Sequence, residues 1–168
     1  MSNSTMKVST KSRKTYSKSR PSKSKKSRKT VRNVYKMVSI KNDKKSKIVR
    51  VFLEILNTVK LYHWKTRSYS QHKATDELYD RLNENIDKFI EILLGKDESR
   101  VKLIQKRIDV LDAKNTQSFK SRIYEYREFL TDMNTIFSSK TDSDLLSVRD
   151  EILGDVNQFL YLLSFDKV

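Results

Sequence analysis

Apolar residues recur at helical spacing in four stretches of this chain. From about Ser46 to Ser68 one face carries Ile48, Phe52, Ile55, Leu56, Val59 and Tyr62; from about Ser70 to Leu94 it carries Leu78, Leu82, Ile86, Phe89, Ile90 and Leu93. A third stretch, about Ser118 to Phe137, presents Phe119, Ile123, Tyr126, Leu130, Met133 and Ile136, and a fourth, about Asp144 to Phe165, presents Leu145, Val148, Ile152, Val156, Phe159 and Leu163. Steps of three and four place these residues on one side of a helix, where strict alternation would mark a strand. Helices with an apolar stripe of this width bury it against one another, so the pattern predicts an all-α four-helix bundle. Two glycines and one proline in 168 residues leave few places to break a helix. Gly95 stands where a helix C-cap is expected and Ser143 where an N-cap is expected, and Gly154 predicts a close helix approach or a bend. The connection between the second and third helices is long enough to cross the bundle lengthwise, and Leu103, Ile104, Ile108 and Leu111 predict a short helix within it. Residues 31–40, VRNVYKMVSI, read equally as a docked arm, a short strand or the ordered root of a tail, and no internal repeat is visible.

Charge divides the chain. Residues 1–50 hold 18 Lys or Arg against the single acid Asp43, whereas residues 51–168 hold 18 basic and 20 acidic residues. Basicity therefore belongs to a tail, residues 1–45, and the bundle occupies 46–168. The tail interleaves Ser and Thr with Lys and Arg and has little to bury, which predicts a flexible segment. It lacks the apolar centre of a secretory signal, its Lys-rich composition without an apolar stripe argues against a transit peptide, and no segment has the apolar length of a membrane span. A soluble protein is expected. The bland reading of the tail is a solubilising extension; its charge density favours polyanion binding through Lys11, Arg13, Lys14, Lys18, Arg20, Lys23, Lys25, Lys26, Arg28, Lys29 and Arg32. Each neutralised phosphate releases condensed counterion, so such binding is salt-sensitive and indifferent to sequence. Nothing in it resembles a base-reading motif. KSKKSRK also fits a nuclear-import signal, and phosphorylation of its serines would lower the charge.

Candidate chemistry lies in the second helix and the residues just before it. Both histidines, His63 and His72, fall there and acids follow at helical spacing; cysteine is absent, which removes thiolate chemistry. Imidazole with carboxylate suits Fe(II), Zn(II) or Mn(II). His72 and Asp76 share a helix face, as do Asp87 and Glu91. Asp76 and Asp87 are separated by roughly 16 Å along the axis at 1.5 Å per residue, so one chain cannot close a site from both pairs. Two copies of the helix, antiparallel about a two-fold axis, would bring the His72/Asp76 end of one against the Asp87/Glu91 end of the other, with His63 from the preceding helix. The competing reading makes the acids a solvated helix face and His63 a packed residue. Glu77, Asp80 and Glu84 fit the solvated face, Tyr62 and Tyr79 fit packing, and Trp64 reads more readily as core than as part of a site.

These residues resemble a family. His63-Trp64 closing a first helix, His72 with Asp76 four residues on, Leu78-Tyr79, and Asp87 with Glu91 follow the order of the Dps-like mini-ferritins, and TDSDLLSVRDEILGDVNQFLYLLSF resembles their last helix. The likeness covers roughly residues 48–165, with a His-to-His interval of nine residues that is shorter than the family's. The resemblance implies a ferritin-like bundle with a long crossover between helices two and three. It also implies two-fold dimers within a larger shell, such as a dodecamer, and iron oxidised by peroxide or dioxygen at inter-subunit sites. His63, His72 and Asp76 would come from one subunit and Asp87 and Glu91 from its mate, with Trp64 able to absorb oxidising equivalents. The expected function is ferroxidation and iron storage, with DNA held by the tails. The alternative is a structural nucleic-acid-packaging or virion protein on the same bundle without efficient ferroxidation. The expected location is the cytoplasm with the nucleoid, or a virion or nucleus for a viral or eukaryotic source.

Overall fold

A computed structural model describes residues 41–165. Four helices account for most of them: α1 (Asn42–Lys65), α2 (Tyr69–Gly95), α3 (Thr116–Asp132), which runs on into a 3-10 turn (Met133–Thr135), and α4 (Ser143–Leu163). No strand occurs among the described residues. The class is all-α, as the periodicity predicts. Residues 1–40, which hold most of the expected tail and the stretch 31–40, lie outside the described residues.

Burial follows the predicted stripes. Every stripe residue is buried except Leu56, Ile90 and Ile136, which sit half-buried at the margins. Two phenylalanines tie the helices together: Phe52 of α1 meets Phe89 of α2 edge-on at 5.3 Å and Phe129 of α3 at 6.2 Å, while Phe119 of α3 stacks on Tyr62 of α1 at 3.8 Å and meets Phe159 of α4 at 6.0 Å. Edge-to-face pairs add to area burial because the positive ring edge meets a negative face. On the outside, α2 and α4 are joined by Arg81–Gln158, Asn85–Asp155 and Lys88–Glu151. These pairs run in opposite sequence directions, so the two helices are antiparallel. Tyr62–Phe119, Thr58–Tyr126 and Phe52–Phe129 show the same for α1 and α3.

Several expectations at element ends are corrected. α1 begins at Asn42, four residues before the expected start, because Lys45 and Ser46 are buried beneath the α2–α3 connection rather than lying in a tail. Gly95 ends α2 with no left-handed cap; Glu98 takes the positive φ instead, at 53°. Ser143 is the first residue of α4 and Asp142 holds the cap position. Residues 103–111 form no helix. The connection is tied to α1 instead: Asn42 donates to the Lys102 carbonyl at 3.1 Å and the Ile104 N–H donates to Ser46 Oγ at 3.0 Å. Ile104 is exposed, so the apolar spacing there does not mark a buried face.

Gly154 makes no close approach, since a methyl group added to it would meet nothing within 4 Å. It therefore costs helix propensity without a packing return. Gly154→Ala is expected to raise the unfolding free energy by about 1 kcal/mol, checked by chemical denaturation.

Tyr126 provides a pH test of the core. Its hydroxyl lies 3.0 Å from Thr58 Oγ1, and burial pushes it up to about 12, against that hydrogen bond, which pulls the other way. In the unfolded chain a tyrosine ionises near 10. The neutral phenol's contribution to stability is therefore intact below about pH 10 and is lost as pH climbs from there toward 12. Ultraviolet titration is expected to show a tyrosine step near pH 12 that Tyr126→Phe diminishes.

Candidate functional site

Three residues, 66–68, join α1 to α2. Thr66 is extended at φ −63°, ψ 142°, and the Ser68 hydroxyl accepts from Gln71 N–H to cap α2. So short a turn forces the last turn of α1 against the first of α2. The two imidazoles consequently stack, His63 on His72, with centroids 3.9 Å apart and planes 22° off parallel.

Each ring is fixed by the other residue's backbone. His63 Nδ1 lies 3.0 Å from the His72 carbonyl, and His72 Nδ1 lies 3.0 Å from the His63 carbonyl. Carbonyls only accept, so both Nδ1 atoms carry hydrogen and donate. His63 Nδ1 also lies 3.3 Å from Thr75 Oγ1, whose own hydrogen goes to the Gln71 and His72 carbonyls. Thr75 thus meets the ring as an acceptor, which agrees with the same tautomer. In the neutral rings the lone pair therefore falls on Nε2, the arrangement by which a protein orients a histidine ligand. The His63 carbonyl is also one of the last of α1, which lack helical partners, so His72 completes the helix end as well.

Asp76 joins this pair. Its Oδ1 lies 3.7 Å from His63 Nε2 and 3.8 Å from Lys60 Nζ. Lys60 also covers the face of Tyr79 at 4.5 Å. His63 is buried, and the Asp76 side chain is 41% exposed, so the carboxylate forms the open rim of the cluster. Lys60 and Thr75 were not singled out from sequence. Their signal was helical spacing: Lys60 is three residues before His63, and Thr75 three after His72.

The structure brings together His63, His72 and Asp76 and leaves the other expected ligands elsewhere. Asp87 and Glu91 lie on the exposed side of α2, three and four turns further along. Among the described residues, no group of three or more His, Asp or Glu side chains is placed to hold a metal ion within one chain. Trp64 is not a core residue, being 70% exposed, because the residue after His63 on α1 points away from the helix that His63 faces. The basic residues from Lys11 to Arg32 lie outside the described residues. No helix among those described is long and apolar enough to cross a membrane.

Among the described residues, an all-α bundle in which α1 and α2 are clasped by paired histidines is the class these observations define. The chain matches a family of unknown function, DUF5856, over residues 63–163, and it belongs to that family. The matched stretch begins at His63 and ends with the last residue of α4. No curated protein and no solved structure matches it.

Proposed function

We propose that this protein is a Dps-like mini-ferritin that oxidises Fe(II) at sites shared between two-fold-related subunits and holds nucleic acid through its basic N-terminal segment. The observation that carries the reading is the His63–His72 pair, with both Nδ1–H groups spent on carbonyls and both Nε2 atoms left as ligands beside Asp76. The donor set suits Fe(II), which is the substrate. One chain supplies half of it. Asp87 and Glu91 of a two-fold mate would supply the rest, which makes a dimer within a shell, such as a dodecamer, part of the proposal. Peroxide or dioxygen would be the oxidant.

The chain path supports a ferritin-like topology. Residues 97–104 bond to the first turns of α1, through Lys45, Asn42 and Ser46, and residues 112–113 bond to its last turn through Lys65. The α2–α3 connection thus follows α1 from end to end, as a lengthwise crossover would, and α2 and α3 start at the same end.

One observation favours the packaging alternative. The Lys60 ammonium already sits beside Asp76, where an incoming cation would compete with it. In that reading the histidines only clasp the α1–α2 turn, and the bundle serves to carry the basic segments.

Iron titration separates the two. Trp64 is the only tryptophan and adjoins His63, so anaerobic Fe(II) is expected to quench its fluorescence saturably, and peroxide then to raise Fe(III) absorbance faster than in buffer. His63→Ala and Asp87→Ala are each expected to abolish this, and mixing the two mutant subunits to restore a fraction of sites. Absence of saturable quenching in the wild type would establish the packaging reading. The tail is tested separately by deleting residues 1–40, short of the buried Lys45. Full-length DNA affinity is expected to fall at least about a hundredfold between 50 and 200 mM salt, a dependence the truncated chain should lack.

A further inference from the structure

Around the α1–α2 turn and the start of α3, the fold leaves an open cleft of about 490 Å3, lined by Lys65, Arg67 and Lys114 and by no acidic residue. Its floor is a hydrogen-bonded network with hydrogens to spare. The Gln71 carboxamide oxygen accepts from the Tyr62 hydroxyl at 2.6 Å and the Thr66 hydroxyl at 2.9 Å, which fills both lone pairs. Thr116 Oγ1 accepts from Gln71 Nε2 at 3.3 Å and shares the Tyr62 hydroxyl at 3.0 Å. Thr116 therefore accepts twice. Its own hydrogen and the second amide hydrogen of Gln71 meet no acceptor among the described residues, although Gln71 is only 7% exposed. Gln71 is buried, so its second amide hydrogen needs an acceptor, and the half-buried Thr116 hydroxyl is free to donate to the same one.

The cations at the rim set the sign of that acceptor. Lys65 is bonded to Asp112 and the Ala113 carbonyl and so pins the connection to α1. Arg67 and Lys114 make no ion pair among the described residues. α2 and α3 both start here, so two positive helix ends add to the field. The geometry points to a phosphate-ester site: the phosphate oxygens accept from Gln71 and Thr116 while Arg67 and Lys114 balance its charge, and the cleft's volume leaves room for the group that the phosphate carries. The site belongs to the folded body and does not depend on iron chemistry or on the N-terminal segment.

Calorimetric titration of the full chain with inorganic phosphate tests it. The wild type is expected to bind about one phosphate per chain saturably. Arg67→Ala with Lys114→Ala is expected to weaken binding about tenfold or more. Lys106→Ala with Arg107→Ala, which removes equal charge from exposed positions on the same connection, should change nothing. Thr116→Val, which removes a donor and no charge, should weaken binding with helical content retained. The proposal is overturned if the wild type shows no saturable site, or if the charge control weakens binding as much as the cleft variant. A short single-stranded oligonucleotide identifies the source of the phosphate. If the cleft variant binds it more weakly and phosphate competes with it, the ligand is a nucleic-acid backbone; if only phosphate binding is lost, the ligand is a small phosphate ester.

Discussion

Phe119→Ala is expected to lower the unfolding free energy by about 4 kcal/mol, the range found when a buried phenylalanine is removed and the cavity does not collapse. Phe119 is fully buried. It stacks on Tyr62 and meets Phe159, so one truncation loosens α3 from α1 and from α4 together. Natural domains are stable by only about 5 to 15 kcal/mol, so the variant should lose a large share of what holds the fold. Phe165→Ala is the matched control: that ring is 65% exposed, and its loss should change stability by no more than about 0.5 kcal/mol. Urea denaturation followed by circular dichroism measures both. Equal effects from the two would contradict the placement of the core.

Arg149→Leu is expected to cost about 3 kcal/mol, although leucine is apolar and the site is buried. The guanidinium donates to the Leu130 carbonyl at 2.7 Å, to Asn134 Oδ1 at 2.8 Å and to Asp150 Oδ1 at 2.8 Å. Leu130 lies in the last turn of α3, where its carbonyl accepts from the Met133 N–H and, as a second donor, from Arg149, which braces the end of α3 from the side. Leucine would remove the second donor to that carbonyl and the guanidinium donor to the Asn134 amide oxygen, and with them the link between α4 and the end of α3. Arg149→Lys should recover less than half of the loss, because a single ammonium cannot match the fork that reaches carbonyl, amide and carboxylate together. Thermal unfolding of the three proteins orders them; a lysine variant as stable as the wild type would mean that charge alone matters there.

The amino-acid sequence by itself determined the helices and their inward faces. Residues such as Phe52, Leu82, Ile123 and Ile152 fall on stripes whose period is a property of the helix and needs no knowledge of the partner. It also located His63, His72 and Asp76, because helical spacing and a three-residue turn confine them to one end of two helices. Tertiary structure alone decided what each polar residue meets. Lys45 reads as tail and is buried against Asp97 and Ser99, since burial of a charge depends on a partner 52 residues away. Residues 103–111 show helical spacing and form no helix; the connection is tied to α1 instead, through Asn42 to the Lys102 carbonyl and Ser46 to the Ile104 N–H. Trp64 reads as core and faces out, since only the packed arrangement of α1 against α2 fixes which side of α1 is covered. The tautomer of the histidine pair was likewise beyond the sequence: it is set by two carbonyls that the turn brings within 3.0 Å, a distance that exists only once α1 and α2 have packed.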